Sequence, residues 1–190
     1  MSRGLAPVGP EKAKVLILGS FPSRKSLGAG EYYGHPRNHF WPILAEIARE
    51  NGVGAPGAPR DWDGKVLLLD RLGVALWDLV ASCERPGSLD ADISGEILNP
   101  VADFVSRHPS IERVGLNGAA AAAFFSRHFA PETGLGSAAI GQVLPWILRT
   151  TGGLERRILL ARLPSTSPIP TSRFRTTSDR LPWWSGFLRS

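Results

Sequence analysis

Cysteine is nearly absent from this chain: among 190 residues only Cys83 carries a thiol. One cysteine excludes an intramolecular disulfide, a four-cysteine zinc site and a cysteine-held iron–sulfur cluster. The four histidines show no ligand-like spacing, so neither a metal nor any other cofactor is expected. Long apolar runs are missing as well. None approaches the roughly 18 residues of a membrane span, and no apolar stretch follows a basic start as in a signal peptide. A reducing cytoplasm is the expected setting. There is no GxxxxGK[ST], which excludes a P-loop, and Gly19-Ser-Phe-Pro-Ser23 is not the GxGxxG of a dinucleotide fold.

What remains is the composition of a soluble domain, 43% hydrophobic and 21% charged. The length fits one domain over residues 1–190 with a proper core. The 22 Lys and Arg outnumber the 17 Asp and Glu, for a formal net charge of +5. Basic residues thicken toward the C-terminus, at Arg149, Arg156, Arg157, Arg162, Arg173, Arg175, Arg180 and Arg189. Such a balance favours a polyanionic partner, although a genomic preference for arginine gives the same picture.

Residues 1–13 read as a loose leader. Four apolar runs read as strands: Lys14–Leu18, Gly73–Trp77, Arg113–Asn117 and Arg156–Leu163. Helices are expected over Phe40–Arg49, Lys65–Arg71, Asn99–His108 (Asn99 as N-cap, Pro100 in the first turn), Ala119–His128 and Ser178–Arg189. Ser82–Ile93 reads as a polar loop, residues 171–190 as a basic extension ending in an amphipathic helix, and Pro131–Thr151 has no assignment. The alternation predicts an α/β fold: a three-layer α/β/α sandwich around a central, mostly parallel, four-stranded sheet. In such sheets ligands bind beyond the carboxyl ends of the strands. Here those ends carry Gly19-Ser20-Phe21, Trp77-Asp78, Asn117-Gly118 and Leu163-Pro164-Ser165.

The order GSFPS, then GEYYGHPRNHFW, WDLVASCERPGSLD, LNG and LPSTSP resembles the uracil-DNA glycosylase superfamily over roughly residues 14–170, nearest its hypoxanthine-DNA and mismatch-specific branches. The YYGHPRNHFW and LPSTSP segments carry most of the specificity. The resemblance implies a monofunctional glycosylase that flips a damaged base out of DNA and hydrolyses its N-glycosidic bond, leaving an abasic site. The partner would be DNA with deaminated bases or abasic sites, met by a monomer in the cytoplasm at the nucleoid, with no membrane association.

By the same resemblance, Tyr33 stacks on the flipped base and Asn38 holds the attacking water. Asn38 is equally well placed as a helix cap, and one oxygen does not easily do both. Phe21 departs from the superfamily, where this position commonly carries the Asp or Asn that activates water. Gly19 and Ser20 belong to the turn that meets the substrate, and Ser165 stands where other branches have His or Asn. Ile169 falls on the wedge that fills the gap left by the flipped nucleotide. Thr166 and Ser167 are expected at phosphates, as are Arg37, Arg162, Arg173 and Arg175. His35 reads as structural or phosphate-side rather than catalytic. Asn117 offers paired groups to a base edge or else satisfies the turn at Gly118. Asp78 is the carboxylate to which water activation would fall without Asn38, and Arg85 and Ser88 lie on a loop that would face DNA. Uracil, hypoxanthine and xanthine are the candidate lesions. Two alternatives remain: a non-catalytic or product-retaining sensor of damaged DNA, and an unrelated nucleoside hydrolase on the same fold class.

Overall fold

The computed structural model describes residues 1–53, 57–87, 92–149, 153–168 and 174–189. Strands β1 (Ser2–Arg3), β2 (Val15–Gly19), β3 (Val74–Asp78), β4 (Val80–Glu84), β5 (Ser94–Leu98), β6 (Arg113–Asn117), β7 (Val143–Arg149) and β8 (Glu155–Leu163) form two sheets. The helices are α1 (Arg24–Ala29), α2 (Phe40–Glu50), α3 (Trp62–Leu72), α4 (Val101–Arg107), α5 (Ala119–His128) and α6 (Thr177–Arg189).

The main sheet has the order β3-β2-β6-β8-β7. The β2, β3, β6 and β8 pairings are parallel, and β7 closes one edge antiparallel to β8. The expected sheet of four strands is therefore five. Strand β7 escapes a search for apolar runs because its residues alternate: Trp146 and Leu148 are buried while Val143, Pro145 and Ile147 face outward. Pro145 has no N–H for a ladder, and an edge strand is where that is tolerated.

Strand β2 is buried at every position, as a central parallel strand must be. Its alternate side chains feed two cores. Leu16 and Leu18 join Val101, Val105 and Phe125 from α4 and α5 on one face. Val15 and Ile17 join Phe40, Ile43 and Leu44 of α2, Leu68 and Leu69 of α3, and Trp184 and Phe187 of α6 on the other.

A second, antiparallel sheet runs β1-β4-β5. Residues Ser82–Glu84, expected as loop, belong to β4. Residues 1–13, expected as a loose leader, are pinned: Ser2 and Arg3 pair with Cys83 and Ser82, Val8 bridges Leu76, and the Tyr32 hydroxyl donates to the carbonyls of Leu5 and Ala6. Asn99 does not cap α4 through its side chain. Its amide Nδ2 donates to the Asp78 carbonyl at 2.8 Å, and Pro100 stands at the cap. Helix α3 starts earlier than expected because the Asp61 side chain accepts from the Gly64 amide. At the start of α6, Asp179 accepts from the Arg175 and Thr176 amides while Thr176 Oγ1 accepts from the Asp179 amide, a reciprocal cap. No helix among the described residues is long and apolar enough to cross a membrane.

Candidate active site

The carboxyl ends of β2, β3, β6 and β8 open onto one cavity of about 360 Å³, within the range of small-molecule sites. It is lined by Gly19 to Ser23, Tyr32, Tyr33, His35, Arg37, Asn38, Asp78, Arg85, Asn117 and Ser165 to Pro168. Parallel pairing explains the convergence: Gly19 stands opposite Asp78 and Asn117 opposite Leu163, so the chain leaves all four strands at one level.

Gly19 and Asp78 make the floor. Asp78 is only 4% exposed. A Cβ on Gly19 would lie 2.4 Å from Asp78 Oδ1 and 3.7 Å from the Tyr33 hydroxyl, so glycine lets the carboxylate lie against the strand end. Ser20 is nearly buried, and its carbonyl accepts from the Val80 amide, which ties the turn to the second sheet.

Tyr33 forms one wall. Its ring stacks on Phe40 with centroids 4.0 Å apart and planes 23° from parallel. Its φ of 52° makes it the one non-glycine in the left-handed region among the described residues. The buried hydroxyl has no well-aligned hydrogen bond there. Burial, and then the charge of Asp78, push its pKa well above the ordinary phenol value, with Asn117 opposing.

Asn38 lines the cavity and sits just before His39, the cap of α2: its Oδ1 accepts from the Phe40 amide at 2.9 Å. That bond leaves the amide oxygen a second lone pair. His35 Nδ1 accepts from the Arg37 amide at 3.1 Å, which requires the unprotonated nitrogen. Burial, Lys25 and Arg37 lower its pKa, in agreement. Arg37 is exposed at the rim.

The opposite wall is the segment after β8. Ser165 Oγ accepts from the Ser167 amide, so its proton remains available for donation. Gly118 is needed beside it: its φ is 97°, and a Cβ there would approach Ser165 Cβ to 3.0 Å. Asn117 spends one amide N–H and one lone pair on Thr166. Its Nδ2 donates to Thr166 Oγ1 at 2.8 Å and its Oδ1 accepts from the Thr166 amide at 3.0 Å. Its partner is not the turn at Gly118. Thr166, expected at phosphates, is 1% exposed and bonded to Asn117 and, through its carbonyl, to the His39 amide. In this arrangement the two residues join the end of β6 to the segment after β8. Ser167 is half-buried on the rim, whereas Arg162 lies on β8 with Nη1 donating to the Ala138 carbonyl. Arg175 is exposed near the start of α6. Ile169 and Arg173, the expected wedge and phosphate contact, and Ser88 lie outside the described residues.

Sequence reasoning missed one residue here. Arg180, from the basic extension, is 1% exposed. Its guanidinium donates to the carbonyls of Ser165 (2.7 Å), Thr176 (2.6 Å), Phe174 (3.0 Å) and Ser167 (3.5 Å), clamping the post-β8 segment. Nothing in DRLPWW marks that arginine as buried. Phe21, expected to meet substrate, lines the cavity but also packs with Val80 and Cys83 and carries the Arg85 guanidinium 5.0 Å above its ring. Among the described residues no group of three or more His, Cys, Asp or Glu gathers as a metal site would.

The sequence profile described as "UDG: Uracil DNA glycosylase superfamily" matches residues 6–186. A hypoxanthine DNA glycosylase of Methanosarcina barkeri is 32% identical over 116 residues, which is 61% of this chain and 70% of the relative. One of Methanosarcina acetivorans is 30% identical over 118 residues, 62% of this chain and 72% of the relative. A solution NMR structure of a provisionally named uracil DNA glycosylase from Methanosarcina acetivorans superposes with a TM-score of 0.67 at 25% identity. That match covers 98% of this chain and 96% of the other.

Proposed function

The chain belongs to the uracil DNA glycosylase superfamily, and from that premise we propose that it is a monofunctional enzyme excising deaminated bases, hypoxanthine first and uracil or xanthine more slowly. One observation carries the reading: a buried carboxylate, a stacked tyrosine, a cavity-lining asparagine and a serine hydroxyl converge on one base-sized cavity at the strand ends.

The base must leave the duplex to reach that cavity. Stacking on Tyr33, itself backed by Phe40, contributes on the order of 1–3 kcal/mol. Deamination of adenine or cytosine converts a ring nitrogen from acceptor to N–H donor and places a carbonyl beside it. Asp78 accepts that N–H and repels the lone pair of the undamaged base, while the Ser165 hydroxyl donates to the new carbonyl. Guanine and thymine share this edge and are refused by the greater cost of unpairing them. In the chemical step the C1′–N bond breaks and its electron pair leaves with the base. Water held on the free lone pair of Asn38 then adds to C1′ and gives up a proton, which ends on the departing base. The bond from the Phe40 amide fixes the carbonyl in advance, which is a positioning effect.

Single-turnover release from duplexes carrying one hypoxanthine, uracil, xanthine or adenine tests this. Hypoxanthine release by the wild type, slowed roughly tenfold or more by Asn38→Ala (about 1.4 kcal/mol of barrier) and by Asp78→Asn, supports it. Tight binding of damaged or abasic duplex with no release of any base would establish instead the damage-sensor reading, which Phe21 in place of a water-activating residue favours.

A further inference from the structure

The departure at Phe21 leaves the site without the polar side chain that other branches use there, and the structure shows what that ring does instead. Phe21 is 7% exposed, wedged among Val80, Cys83 and their neighbours. The Arg85 guanidinium lies over it at 5.0 Å from the centroid, and Arg85 Nη2 donates to the Pro22 carbonyl at 2.6 Å. Both residues line the cavity beside Asp78 and Ser165. A guanidinium keeps its charge at any working pH and stacks on aromatic faces. One bond to Pro22 leaves most of its five donors for another acceptor. Among the described residues the ion pairs do not include Arg85.

We propose that Arg85, shelved on Phe21, is the anion-holding residue of this site. The inference rests on the glycosylase reading above. Cleavage pushes an electron pair onto the departing base, and a fixed cation in a water-poor cavity is worth most where such charge develops. Ser165 is a neutral donor and supplies less. Two anions come within the reach of this chemistry: the departing base and a phosphate flanking the flipped nucleotide. In either case Phe21 exchanges water activation for a platform that orients a cation.

The test uses the lesion that the wild type releases. It compares wild type, Arg85→Met, Arg85→Lys, Phe21→Leu and the Phe21→Leu/Arg85→Met double variant. Single-turnover rates are measured beside the Kd, over a range of salt, for a duplex whose 2′-fluoroarabino lesion resists cleavage. If the anion is the base, Arg85→Met slows the chemical step about thirtyfold or more with Kd unchanged, and Arg85→Lys does not rescue because its ammonium neither stacks nor forks. If it is the phosphate, Kd rises, the salt slope falls by about one, and Arg85→Lys rescues. In both cases Phe21→Leu costs several-fold alone and nothing further beside Arg85→Met, because one residue acts through the other. Unchanged rate and Kd in a folded Arg85→Met, or additive losses in the double variant, overturn the proposal. A wild type that releases no base from any lesion defeats the glycosylase reading itself, which is a different failure.

Discussion

The two walls of the cavity are built by opposite means. The wall at the ends of β2, β3 and β4 is one of side chains: Tyr33 on Phe40, Arg85 on Phe21, Asp78 against Gly19. The segment after β8 is a wall of backbone. Four carbonyls between Ser165 and Thr176 face Arg180, a fifth, that of Pro164, accepts from Trp184 Nε1 at 3.1 Å, and Thr166 is bonded to Asn117 and His39. The first wall holds most of the groups with reactive or recognition chemistry. The second is a shape imposed by one cation donated from the C-terminal helix. The same basic extension that suggested a DNA-binding tail thus turns its most buried charge inward.

The largest effect should come from breaking the second wall. Arg180→Met leaves buried carbonyls without donors, at about 1–3 kcal/mol for each group left unsatisfied. A loss of roughly 3 kcal/mol or more in urea unfolding is expected, and a loss below about 1 kcal/mol would mean that the segment holds its shape without the clamp. Next is Gly19→Ala on the first wall. Its Cβ meets Asp78 Oδ1 at 2.4 Å, so the carboxylate must move. Base release should fall by about tenfold or more, beyond what a stability cost of about 1–3 kcal/mol explains in a protein still folded at assay temperature. Normal turnover in Gly19→Ala would remove Asp78 from the chemistry.

The smallest effect lies where the walls meet. His39 Nδ1 bonds Thr177 Oγ1 at 3.0 Å. Burial, and then Arg180, lower its pKa, with Asp179 opposing. A histidine with a lowered folded pKa binds its proton more readily when unfolded, so stability is lost as the pH falls through the ordinary value of about 6.5. Thermal unfolding followed from pH 7.5 to 5 should show that loss, and His39→Gln should flatten part of it. His35, on the first wall, shifts in the same direction. If His35→Gln flattens the profile more, the first wall and not the junction carries the pH response.

The parallel strands are legible in the sequence because VLILG, VALWD and RVGLN are short runs ending at turn signals, and because each is buried over most of its length. The convergence of their ends follows from parallel pairing alone. The second sheet is hidden. Strand β1 has two residues, β5 is largely exposed, and β4 follows Asp78 after a single residue with no turn between them. Within the site, the residue types are readable and their partners are not. Asn117 and Thr166 are 49 positions apart, and no local pattern announces that each satisfies the other. Arg180 sits in a segment whose polarity suggests exposure, and only its four carbonyl partners explain its burial.

Tyr33 has one more consequence, which concerns engineering. Holding a tyrosine in the left-handed region, at φ 52°, costs about 1–2 kcal/mol that glycine would not incur. Glycine at position 33 would relieve that strain, yet it would lose the ring stacked on Phe40 and loosen the unfolded chain, so the exchange is a net loss of stability. Melting temperature and turnover therefore rank that position in the same order, so a library sorted on heat alone will keep the ring that forms the cavity wall.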